Sequence, residues 1–195
     1  MTDLINNPFE GEKRKSFFDR LPAWLSLIFD FIKIVIIALV VVWPIHRWIM
    51  QPFLVKGPSM EPNFYDREYL IIEEVTYHFR APERGEVVVF RSPQNRLDWL
   101  IKRVVGLPNE RIVIRDGRVY IFNEKHQDGL ELKEDYLFPG LRTRGEIEII
   151  LGENEYYLLG DNRNVSLDSR VFGPVERKLI IGKTWIRARI RRTIF

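Results

Sequence analysis

Ser59 and Lys102 are the two side chains whose settings in this sequence could supply a nucleophile and its base. Ser59 stands in Pro52-Phe53-Leu54-Val55-Lys56-Gly57-Pro58-Ser59-Met60-Glu61-Pro62. There an apolar extended run meets a glycine and prolines that forbid helix and present the hydroxyl at a strand end or turn. Taken alone, such a serine is far more often a plain turn residue. Lys102 lies in Asp98-Trp99-Leu100-Ile101-Lys102-Arg103-Val104-Val105, and strand alternation sets it on the face of Leu100 and Val104. Burial on that face would disfavour the ammonium and lower its pKa from ~10.4, leaving an amine able to act as a base near neutrality. The alternative is a stem that carries the charge out to solvent. A third stretch, Gly160-Asp161-Asn162-Arg163-Asn164-Val165-Ser166-Leu167-Asp168-Ser169-Arg170, holds enough donors and acceptors to orient an amine, although ordinary polar turns look similar. Cysteine is absent, which excludes thiolate nucleophiles and disulfides. His46, His78 and His126 are scattered and show no metal-binding spacing, so neither a metal nor a cofactor is expected.

Something must position these groups. At 195 residues the chain has room for one catalytic-sized domain and a membrane segment. Lys and Arg exceed Asp and Glu by only 30 to 27, which gives no argument for nucleic acid as a partner. Residues 1–22 are polar, with Lys13, Arg14, Lys15 and Arg20 ahead of an apolar run over 23–45 that matches the ~20 residues a bilayer needs. Asp30 and Lys33 interrupt it but are spaced to pair across one turn, and residues 34–43 are unbroken. The run ends in Trp43-Pro44-Ile45-His46-Arg47-Trp48, too bulky for signal-peptide cleavage. The expectation is a cytoplasmic tail over 1–22, a single transmembrane anchor over 23–46 and an extracytoplasmic catalytic domain over 47–195, oriented by the excess of positive charge before the anchor. A plasma or inner membrane location follows.

Beyond the anchor the pattern is β. Runs rich in Val, Ile, Tyr and Phe recur at 69–73, 86–90, 99–105, 111–114 and 156–159, bounded by Pro, Gly, Asp and Asn. Asp116-Gly117 between Arg111-Ile112-Val113-Ile114-Arg115 and Arg118-Val119-Tyr120-Ile121-Phe122 signals a tight two-residue hairpin. The fold class expected is mainly β, an antiparallel catalytic domain with a smaller inserted β region over about 108–155. Residues 123–146 read as its polar, turn-rich part.

Together these stretches resemble type I signal peptidases, the membrane-anchored serine/lysine endopeptidases that remove signal peptides from exported preproteins. Gly57-Pro58-Ser59-Met60-Glu61-Pro62 is similar to the nucleophile box of that family. Tyr65-Asp66-Arg67-Glu68-Tyr69-Leu70 and Arg84-Gly85-Glu86-Val87-Val88-Val89-Phe90 are similar to the strands that follow it. Ile101-Lys102-Arg103-Val104-Val105-Gly106-Leu107-Pro108 resembles its general-base box, and residues 160–170 its glycine/aspartate/asparagine box. The resemblance implies Ser59 as nucleophile, Lys102 as general base and Ser166 as a hydroxyl that aligns the amine. It also implies that Asp168 pairs with Arg170, and Asp161 with Arg103, to brace the loop. Some branches carry a second serine two residues before the nucleophile; here Gly57 stands there, leaving the Ser59 backbone N–H to bind the oxyanion.

Preproteins and the lipid bilayer are the partners implied. Phe53-Leu54-Val55 is extended and could take a cleavage region as an added strand. The family's preference for small residues at the first and third positions before the cut implies shallow apolar pockets, matched here by Phe53, Val55, Met60, Phe64, Leu100 and Ile101. Each of these is equally explained as core. Residues 186–191 alternate apolar and cationic side chains and read first as a half-exposed strand, second as a contact with lipid heads. Two rival readings are an inactive tethered β domain that binds exported chains and another serine/lysine processing peptidase, such as a pilin-processing enzyme.

Overall fold

The structure is a computed structural model and describes residues 23–44 and 50–188. The tail over 1–22, the end of the expected anchor at 45–46, and Arg189, Ile190 and Arg191 lie outside the described residues. The chain divides into two units, one ending at Pro44 and the other beginning at Ile45. In the first, helix α1 (Ala23–Pro44) runs 22 residues. It carries apolar side chains outward between Trp24 and Val41, with Trp24, Leu27, Phe31, Ile34, Leu39 and Val40 between 60 and 70% exposed. Among the described residues no helix is long and apolar enough to cross a membrane.

The second unit is mainly β and antiparallel. Its strands are β1 (Met50–Leu54), β2 (Tyr69–Glu73), β3 (Val87–Arg91), β4 (Trp99–Gly106), β5 (Arg111–Arg115), β6 (Arg118–Asn123), β7 (His126–Glu131), β8 (Ile147–Ile150), β9 (Glu155–Leu159), β10 (Val175–Glu176) and β11 (Ile180–Ala188). Two one-turn helices, α2 (Thr76–Phe79) and α3 (Ser169–Phe172), punctuate them. A seven-stranded sheet runs β1-β2-β11-β3-β4-β9-β10, and a four-stranded sheet runs β7-β6-β5-β8. The second sheet covers the inserted region expected from sequence. Its central hairpin turns at Asp116 and Gly117, both with positive φ (53° and 79°), the twist that a two-residue loop needs to match its strands. One local expectation fails: β7 lies inside the polar stretch read as turns. Its side chains are nearly all exposed, so no alternation marked it, and pairing with β6 makes it a strand.

Three buried clusters hold the unit together. Val88, Phe90, Val104, Leu158 and Ile180 form one, and Val105, Ile112, Ile121, Leu151 and Leu159 are central to the cluster under the second sheet. Val55, Met60, Leu70, Ile72, Val87, Val89 and Ile101 form the third, beneath the serine segment. Odd and even residues of β3 and β4 thus serve opposite faces, as buried strands require.

Candidate active site

Three segments meet at Ser59. After β1 the chain turns through Gly57, whose φ is +83° and whose N–H donates to Asp66 Oδ1 at 2.8 Å. The turn tightens as Glu61 N–H donates to Pro58 O and Phe64 N–H to Met60 O, leaving Ser59 half-buried with buried Met60 anchoring it from below. The Ser59 carbonyl accepts from Asn162 N–H at 3.0 Å, so the nucleophile segment is fastened directly to the loop at 160–170. The Ser59 N–H has no partner among the described residues, and Pro58 has none to offer. This leaves the Ser59 N–H as a free donor beside its own hydroxyl.

Lys102 comes from the middle of β4. Val104 N–H donates to Glu86 O on the β3 side, so the backbone groups of Ile101 and Arg103 point the other way. Pairing with β9 begins only at Arg103, which leaves the outer edge of residues 99–101 open. The lysine side chain folds back along that edge. Its Nζ donates to Ile101 O at 2.9 Å and to Ser59 Oγ at 2.8 Å. The residue is only 3% exposed, and desolvation pulls its pKa from the usual lysine value down to about 8, against the opposing pull of Asp168 and Asp161. A hydroxyl within hydrogen-bond reach of an amine that is substantially neutral near pH 8 is an arrangement in which the amine can accept the hydroxyl proton.

The loop over 160–170 supplies the frame. Arg103 forms a bidentate pair with buried Asp161, Nε to Oδ1 at 2.8 Å and a terminal nitrogen to Oδ2 at 2.6 Å. Arg170 does the same with Asp168, both contacts 2.8 Å. Burial works against the Asp168 carboxylate, but Arg170 and the Gly160 N–H outweigh it and hold the pKa below the ordinary aspartate value. Each pair is buried and geometrically closed, the condition under which such charges are tolerated. Ser166 departs from expectation. Its hydroxyl is buried against Gly160 and faces the Asp168 carboxylate, which it helps to hold ionised, while the Lys102 amine donates to Ser59 and Ile101 and not to Ser166.

The six residues matched to substrate pockets separate. Phe53 and Leu100 line a groove of about 610 Å³ together with Pro52, Lys56, Asp98 and Trp99. Val55, Met60 and Ile101 are at most 3% exposed and belong to the core beneath the serine segment, so their side chains shape the site from below. Phe64 packs partly buried on the same core, under the Arg187 guanidinium. Sequence reasoning missed Asn63, Glu134, Tyr136 and Arg163, which tie the three segments together. No local signal marked the first three, because the contacts that bring them to the site reach partners far off in sequence, as from Asn63 to Tyr136 and Asp161 and from Glu134 to Arg163.

Comparison with known proteins identifies the family. The family model described as signal peptidase, peptidase S26, matches residues 28–188. A probable signal peptidase I-2 of Synechocystis sp. is 34% identical over 170 residues, covering 84% of this chain and 72% of that protein. Signal peptidase IB of Staphylococcus aureus is 30% identical over 171 residues, covering 82% and 88%. The crystal structure of a signal peptidase I from Enterococcus faecalis superposes with a TM-score of 0.45 at 30% identity, over 53% of this chain and 97% of that one. The chain belongs to the signal peptidase family, peptidase S26, and is a peptide-bond hydrolase.

Proposed function

We propose that this chain cleaves signal peptides from exported preproteins through Ser59 as nucleophile and neutral Lys102 as general base. The observation that carries the reading is the 2.8 Å contact between Lys102 Nζ and Ser59 Oγ at a buried amine. Lys102 accepts the hydroxyl proton as Oγ attacks the scissile carbonyl carbon, and the Ser59 N–H receives the oxyanion. Collapse breaks the C–N bond, and the ammonium returns its proton to the departing amine. The acyl-enzyme is then hydrolysed by a water that gives its proton to the same lysine, and Ser59 recovers its own.

Substrate binding is assigned to the groove between β1 and residues 97–100. β1 pairs with β2 alone, and residues 99–101 of β4 have an open outer edge, so an extended peptide has backbone partners on both walls. The buried floor leaves room only for small side chains near Ser59. In detergent, the purified chain should cut a preprotein once, after a small residue, and Ala→Phe at the position before the cut should lower kcat/KM by about 10²-fold or more. Equal cutting of both substrates would remove the signal-peptide reading while leaving a peptidase.

The anchor rests on the sequence of residues 23–45 and on the apolar side chains that α1 leaves exposed, a surface that water disfavours and a bilayer accepts. With that anchor the tail lies inside and the catalytic domain outside, at a plasma or inner membrane.

Lys102 also sets the pH dependence. Its neutral form is the active one, and its pKa is lowered to about 8. The kcat/KM of free enzyme should therefore climb about tenfold per pH unit below that value and level off above it. A pH–rate profile checks this. A limb near ~6.5, the ordinary range of histidine, would reassign the base.

A further inference from the structure

Between β7 and β8, both strands of the second sheet, the chain loops out, and one short stretch of it, Glu134-Asp135-Tyr136, contacts all three segments of the site. Toward the serine, the Tyr136 carbonyl accepts from Asn63 Nδ2 at 2.7 Å, and the same amide donates to Asp161 Oδ2 at 2.8 Å. Both amide hydrogens are thereby used four residues past the nucleophile. Toward the base strand, the Tyr136 ring lies under the guanidinium of Arg103, whose carbon is 4.1 Å from the ring centroid, and Arg103 follows Lys102. Toward the loop, Glu134 pairs with both terminal nitrogens of Arg163, one contact at 2.9 Å, and accepts from the Tyr136 hydroxyl at 2.6 Å. The Arg163 side chain is completely buried, and its Nε donates to Gly160 O at 3.0 Å.

We infer that Glu134 and Tyr136 are positioning residues for hydrolysis, holding the serine segment, the lysine strand and the loop in one register from outside the sheet that carries the dyad. The inference rests on the serine–lysine reading. Without this stretch, Ser59 and Lys102 belong to segments joined by the Arg103–Asp161 pair, the bond from Asn63 to Asp161 and the bond from Asn162 to Ser59 O. A shift of about 1 Å between nucleophile and base is enough to lower the rate about 10²-fold. Neither residue touches Ser59 or Lys102, so the effect belongs in turnover and alignment, and substrate affinity stays with the groove. Glu134 adds an electrostatic consequence. Removing its charge leaves buried Arg163 offset by Asp161 alone among the carboxylates that act on it, and the added positive potential on the loop that carries Asp161 and Asp168 disfavours the Lys102 ammonium.

The test uses the full chain in detergent with a preprotein substrate, comparing Tyr136→Leu, Tyr136→Phe, Glu134→Gln and Asp135→Ala for kcat, KM, pH profile and thermal midpoint, with Ser59→Ala alongside. Tyr136→Leu should lower kcat by about tenfold or more with KM within about twofold. Tyr136→Phe, which keeps the ring on Arg103, should recover most of the loss. Glu134→Gln should move the acidic limb of kcat/KM to lower pH. Asp135→Ala should match wild type, since that side chain is 73% exposed and pairs only with Lys133 at the surface. A folded Tyr136→Leu enzyme with wild-type kcat, or with its defect confined to KM, overturns the inference, as does an unmoved limb in Glu134→Gln. If Tyr136→Leu does not fold, Asn63→Ala decides, and a kcat within twofold of wild type overturns it. An active Ser59→Ala overturns the serine–lysine reading itself, whereas an inactive one beside an unaffected Tyr136→Leu overturns only the positioning role.

Discussion

Lys102→Met and Ser59→Ala are each expected to lower kcat by on the order of 10³-fold or more, because each removes one half of a unit that works only when whole. Methionine matches the length and volume of the lysine stem and suits a site that is 3% exposed, so the loss reads as loss of the amine. Lys102→Arg should fail as completely. A guanidinium stays protonated at every accessible pH and cannot accept the serine proton. The measurement is single-turnover cleavage of a preprotein, with circular dichroism to show retained fold. Residual activity above about a hundredth of wild type in Ser59→Ala or Lys102→Met would dismiss the pair as the catalytic unit.

Gly160→Ala should be nearly as damaging, although glycine carries no chemistry. A Cβ there would lie 2.1 Å from Ser166 Oγ, 2.5 Å from Ser166 Cβ and 2.5 Å from the carbonyl oxygen of Ser59. None of these can retreat freely. Ser59 O is held by Asn162 N–H, Gly160 N–H by Asp168, and Ser166 N–H by Asn162 O. Relief must come from moving the loop away from the serine, which separates nucleophile and base. The expected result is a loss of about 10²-fold in kcat/KM and about 1–3 kcal/mol in stability, read by kinetics and by denaturant unfolding. Gly140→Ala is the control, since its added Cβ meets nothing and only its positive φ of 81° is strained. Wild-type cleavage by Gly160→Ala would show that the loop and the serine segment are less tightly coupled than their contacts require.

The amino-acid sequence by itself determined the mainly β character, the hairpin at Asp116-Gly117 and the family to which the chain belongs. These rest on interactions between near neighbours in sequence: alternation, turn chemistry and short motifs. It also singled out Lys102 as an amine on an apolar face. Tertiary structure alone decided what that amine meets, because Ser59 is 43 residues away and the edge along which the side chain folds exists only where β9 stops short of residues 99–101. The same holds for β11, which inserts between β2 and β3 from about a hundred residues downstream, and for β7, a strand by partnership with no apolar pattern of its own. Val55, Met60 and Ile101 illustrate the converse. Their apolar character was legible, but whether they face a substrate or a core depends on which sheet face closes over them, and it is the core. Ser166 was placed beside the site by its motif, yet the Lys102 amine donates to Ser59 and Ile101 instead, a choice among acceptors that sequence cannot rank. Asn63, Glu134 and Tyr136 were invisible for the most general reason: a polar residue in a loop gives no local sign of a partner, and a long-range pair forms only after the backbone has already brought its members together.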